Sequence, residues 1–118
     1  MALHSSLPNY KVAYDLLGVA TDITRSMPRD FKTLIGAKIR DDCLALVMLI
    51  FRANCASNKV PHLDTLLERL QELELLLRLS CDKRLIATGQ YARAIELTDK
   101  VGRQANGWRK HSAHSPAA

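Results

Sequence analysis

Between Pro61 and Asp82 leucine returns every third or fourth residue, at Leu63, Leu66, Leu67, Leu70, Leu73 and Leu77, and Leu75, Leu76 and Leu79 widen the stripe. That spacing follows the turn of an α-helix, whereas a strand would alternate every second residue. A helix with so broad an apolar face is stable only when other elements cover it. The rest of the chain offers cover of the same period. Ala13, Leu16, Leu17, Ala20, Ile23 and Met27 form one stripe, after a proline, Pro8, that suits a first helical turn. Phe31, Ile35, Ile39, Leu46, Ile50 and Ala53 form a second, and Tyr91, Ala94, Ile95, Thr98, Val101, Gly102, Ala105 and Trp108 a third.

Helices are therefore predicted over about 8–26, 29–55, 61–82 and 88–108. Ser26-Met27-Pro28 stops the first, since the residue before proline is pushed out of the α region. The turn residues of "ASNKVP" separate the second from the third, and Thr88 is placed to cap the fourth. Nothing alternates with strand period. The expected fold is all-α, an antiparallel up-down four-helix bundle over 1–110, with 111–118 as a small, polar, disordered tail. Aromatics are only 5%, so the core is built from Leu, Ile, Val, Ala and Met.

The second helix is apolar on two sides. Leu44, Val47, Met48 and Phe51 lie opposite its main stripe. Either the helix is enclosed by its own bundle, or its second face joins a neighbouring subunit. A chain with room for only a few helices fits the second account better, which marks Leu44, Met48 and Phe51 as oligomer contacts. Asp42 falls among the apolar residues, where a lone carboxylate is costly. It is expected to pair with Lys38, Arg25 or Arg40; a contact holding a subunit interface in register is the other reading.

The stretch "KVGRQANGWRK" puts two glycines inside a predicted helix, around the chain's only tryptophan. Gly102 falls on the core face, where a missing side chain permits close approach of another helix. Gly107 faces outward and is expected to help end the helix, with Trp108 plugging the bundle end.

No catalytic constellation is visible. His4, His62, His111 and His114 lack Cys or carboxylate partners at metal-ligand spacing, and no inward Glu-x-x-His pairs occur. "GRQANG" lies within a helix, not after a strand, so it is not a phosphate loop. Cys43 reads as a small buried hydrophobe. The expectation is no enzyme, no metal and no cofactor. Three cysteines without paired spacing fit a reducing, cytoplasmic setting, and the apolar run from Cys43 to Phe51 is too short to span a bilayer.

The net charge is +5, and all of it falls on the second and fourth helical segments. A basic surface favours RNA, DNA or an acidic protein face. If such helices recur around an oligomer, the charge becomes a belt able to hold phosphate backbones. The expected contacts are Arg29, Lys32, Arg40 and Arg52 on the second helix and Arg93, Lys100, Arg103 and Lys110 on the fourth.

Three pieces, "YKVAYDLL", "MPRDFKTLIGAKIRDDCLALVMLIFRAN" and "YARAIELTDKVGRQANGW", resemble the accessory variability determinant (Avd) family of diversity-generating retroelements. The long second helix also resembles the wider bacterial four-helix family that includes proteins encoded in ribosomal RNA intervening sequences. The resemblance implies a bundle assembled as a pentameric ring or barrel, without enzymatic activity. It implies a reverse transcriptase and structured template-repeat RNA, with DNA as a further candidate, as partners in making mutagenic complementary DNA. An interaction bundle of the intervening-sequence type, with no polymerase partner, is the alternative.

Overall fold

A computed structural model describes residues 7–114, and of His114 the backbone alone. Four helices fill it: α1 (Pro8–Arg25), α2 (29–55), α3 (Val60–Asp82) and α4 (Thr88–His114). Consecutive helices pack side by side, and α4 returns against α1. The result is an up-down bundle 49 × 21 × 21 Å in extent, with α2 and α4 at opposite corners. No strand occurs among the described residues.

The core is the expected stripes meeting. Leu16, Ile39, Leu46, Ile50, Leu63, Leu66, Leu73, Leu77 and Val101 are fully buried, with Ala13, Ala53, Ala94 and Ala105 between them. Deleting a leucine side chain there costs about 2–5 kcal/mol.

α2 is not uniform. Arg29–Phe31 leads into a π-helical stretch, Lys32–Gly36, before regular helix resumes as Ala37–Cys55. A π turn takes up an extra residue and rotates what precedes it. Phe31 is consequently turned to the surface rather than into the core stripe, and Leu34 is exposed. Gly36 is buried against α1: a Cβ there would lie 3.4 Å from both Met27 Sδ and Thr24 Cβ.

The helix ends carry their own chemistry. Lys59 Nζ donates to the Ala53 and Ala56 carbonyls, both at 2.9 Å, where the dipole of α2 favours a cation. At the end of α3, Arg84 N–H donates to the Cys81 carbonyl and Leu85 N–H to that of Ser80. That pair of hydrogen bonds closes a Schellman turn, and it holds Arg84 at φ 59°, a conformation in which glycine is more at ease. The cap of α4 differs from expectation. The Gln90 side chain accepts from the Ala87 backbone N–H at 2.8 Å, so a glutamine reaching back, rather than Thr88, closes this end.

α4 is also longer than predicted. It continues through Trp108 to His114, so 111–114 belong to the helix and not to a tail, and Gly107 sits inside it rather than near its end. Residues 115–118 of the expected tail, and His4, lie outside the described residues.

Candidate nucleic-acid interface

The cations of α4 form one row. Arg93, Lys100, Arg103 and Lys110 recur at helical spacing and all are exposed. Acidic residues of the same helix thread between them. Glu96 Oε1 lies 3.7 Å from both Arg93 and Lys100, and Asp99 lies 3.2 Å from Arg103. These pairs are solvent-exposed and span one helical turn, so each contributes a few tenths of a kcal/mol and yields easily to a stronger anion. Lys110 makes no ion pair among the described residues. Arg109, one residue before it, turns the other way and binds Asp64 of α3.

The cations of α2 do not form a row. Arg29 and Arg52 are exposed, but they stand toward opposite ends of a helix roughly 40 Å long. Arg40 is half-buried, and its Nη1 donates to Thr24 Oγ1 at 3.0 Å, tying α2 to α1. Lys32 is half-buried in the π-helical stretch. Because α2 and α4 are diagonal, the two basic helices of one subunit face away from each other, and the eight predicted cations make no single patch.

The second apolar side of α2 is open. Leu44 is 50% exposed and Met48 40%, and with Asp41, Ala45 and Arg52 they border a hollow against Thr65 and Arg69 of α3. Phe51 behaves differently. Its ring stacks on Tyr10 of α1 at 5.5 Å between centroids, so its main contact lies within the chain, and Val47 is buried.

Asp42 is fully buried, and its partner comes from another helix than expected. Arg69 Nε lies 3.1 Å from Asp42 Oδ1, too poorly aligned for either group to form a hydrogen bond there. Burial first, and then the neighbouring Glu72 carboxyl, push the Asp42 acid up to about 7. Glu72 moves the opposite way, lowered chiefly by its side-chain interaction with Asp42 and further by Lys38, which lies 3.6 Å from it. Below about pH 7 the proton therefore sits on Asp42 and the charge on half-exposed Glu72. Arg69 escaped the sequence reading, although a basic residue one turn after Leu66 and one turn before Leu73 was a sign that a buried acid faced the leucine helix. Burial likewise pushes the adjacent Cys43 thiol up to about 12, which keeps it protonated and unreactive.

Among the described residues no group of three or more His, Cys, Asp or Glu side chains could hold a metal ion. No helix among them is long and apolar enough to cross a membrane. The leucine-cored bundle thus carries cations in a row on one helix and open apolar residues on the diagonal one. A family model described as bAvd-like matches residues 9–112, and the chain belongs to that family, an accessory and non-catalytic kind of protein. The resemblance carried by the sequence motifs is thus borne out. A search of curated proteins returns no match.

Proposed function

We propose that this protein is the accessory subunit of a diversity-generating retroelement, which binds the element's reverse transcriptase and its structured template RNA and supports mutagenic complementary-DNA synthesis in the cytoplasm. The family match over residues 9–112 carries the reading. The exposed row Arg93, Lys100, Arg103 and Lys110 supports it, because its acid partners are weakly held and a phosphate backbone can displace them. Open Leu44 and Met48 favour self-association through α2, with a pentamer as the proposed assembly. That arrangement covers the apolar side of each bundle and leaves the diagonal helix, α4, facing outward to make the basic belt.

The same open apolar side favours the second reading, an interaction bundle that docks a protein and has no polymerase partner. Two measurements separate them. Binding of a long structured RNA, titrated across salt, is expected to give a log-log slope of several units, as multiple phosphate contacts require. Reverse transcription of template-repeat RNA by the partner polymerase is expected to depend on the added protein. A flat salt response together with no dependence of synthesis would remove the retroelement role and leave the interaction bundle.

A further inference from the structure

Large apolar side chains lie open on two different sides of the bundle. One surface runs from α1 onto α2. Tyr14, 58% exposed, stacks on Tyr10, whose ring stacks in turn on Phe51, and Met48 and Leu44 follow on the outer side of α2. Gly18, exposed one turn after Tyr14, weakens α1 relative to alanine, and a Cβ there would meet no atom within 4 Å. Its missing side chain lets a neighbouring helix come close. The second surface is the outer face of α3. Leu75 is 69% exposed there, and Leu79 is open one turn further along the same face. Helices α1 and α3 are diagonal in the bundle, so the two surfaces point to different sides. Neither is covered within the chain, and large apolar side chains this open mark contact with another molecule.

The charges at the two borders are opposite. Lys11, exposed one turn before Tyr14, and Arg52, beside Leu44 and Met48, border the first surface against one acid, Asp41. Asp15 shares a face with Val12, which borders a hollow with Lys100 of α4, and so lies away from that surface. On the outer face of α3 the charges of Asp64, Glu72 and Arg78 are taken up by Arg109, Lys38 and Asp82. Glu68 stands beside them, exposed two turns before Leu75 on the same face. We propose that the partner is a second copy of this chain, joined head to tail. The Leu75–Leu79 surface of one copy covers the Tyr14–Leu44–Met48 surface of the next, with Glu68 toward Lys11 and Arg52. The proposal rests on the self-association reading above and names the surface that meets α2. A surface that met itself across a two-fold axis would set Lys11 and Arg52 against their own copies and leave Leu75 open. Two unlike surfaces on different sides let each copy hold two neighbours, as a ring of more than two subunits requires.

Sedimentation velocity and native mass spectrometry of the full-length protein read the assembly. Leu44→Glu and Leu75→Glu both replace exposed side chains, and circular dichroism checks that each variant keeps its helices. Each is expected to weaken self-association on the order of thirtyfold or more, and to run as a monomer where the wild-type chain assembles. The decisive sample is their equimolar mixture. Leu44→Glu keeps its α3 surface and Leu75→Glu keeps its α1–α2 surface. Together they are expected to form a one-to-one dimer through a single sound contact, and nothing larger. Wild-type-like assembly of Leu75→Glu with loss of it in Leu44→Glu, or a mixture that stays monomeric, would overturn the head-to-tail contact and leave self-association through α2 standing. A wild-type chain that stays monomeric, or an assembly that neither variant disturbs, would overturn both.

Discussion

Helices α2 and α4 share the protein's positive charge, yet they use it in opposite ways. On α2 the cations are scattered and partly absorbed by the fold: Arg40 is tied to Thr24, Lys38 answers Glu72, and Arg52 borders the hollow beside Leu44 and Met48. On α4 they stand in a row that only exposed, same-helix acids oppose. Equal numbers of cations therefore do not make equal surfaces. A cation whose donors are already used inside the bundle offers little to a phosphate, whereas one held by a weak surface pair is available at small cost. Under the proposed function, α2 is the surface for protein contact and α4 the one for the polyanion.

The largest expected effect tests how far α2 has turned inward. The unfolded chain loses the Asp42 proton near 3.8, and the folded chain holds it to about 7. The folded state thus binds more protons in that window, and the contribution of Asp42 is full below 3.8 and lost as pH rises through 7. Asp42→Asn, which cannot ionise, is expected to leave stability little changed at pH 4 and to raise it by roughly 2–4 kcal/mol at pH 8. Urea unfolding at the two pH values reads the difference, and an equal change at both would mean that Asp42 is ionised in the folded protein.

Charge reversal sharpens the comparison itself. Arg93→Glu with Arg103→Glu is expected to weaken RNA binding about tenfold or more and to lower the salt slope by about two, while Arg29→Glu with Arg52→Glu has a smaller effect on RNA. Fluorescence anisotropy across salt measures both. The reverse ranking would move the polyanion surface to α2.

The smallest effects concern the two glycines of α4. Gly107→Ala is expected to stabilise the protein by about 1 kcal/mol, because the new methyl group meets nothing and the helix gains propensity. Gly102→Ala should gain less, since Leu70 Cδ2 must give way. Thermal unfolding of the pair decides it, and a larger gain at Gly102 would show that Leu70 moves freely.

Much of this molecule was legible in its sequence. Helix period, proline and turn residues placed the starts of α1, α2 and α4 and, to within one residue, that of α3. The stripes led to buried Leu16, Leu46, Leu73 and Val101, and the motifs led to the family. Such features are local: three- and four-residue spacing fixes which side chains share a face, whatever the helix packs against. Phe31 went wrong because a π turn breaks the very spacing on which that inference depends.

What remained was set only when the helices met. The partner of Asp42 is Arg69, twenty-seven positions away and on another helix, where the sequence had pointed to Lys38, Arg25 or Arg40. The closeness of Phe51 to Tyr10, and of Asn9 to Gln104 and Trp108, likewise follows from the way α1 lies against its two neighbours. The diagonal placement of α2 and α4, which separates the two basic helices, is a property of bundle order and is absent from any one segment. The sequence by itself determined what each helix would bury. Tertiary structure alone decided which charges would be consumed within the bundle and which would remain for a partner, because long polar side chains pair with whatever the packing brings within about 4 Å.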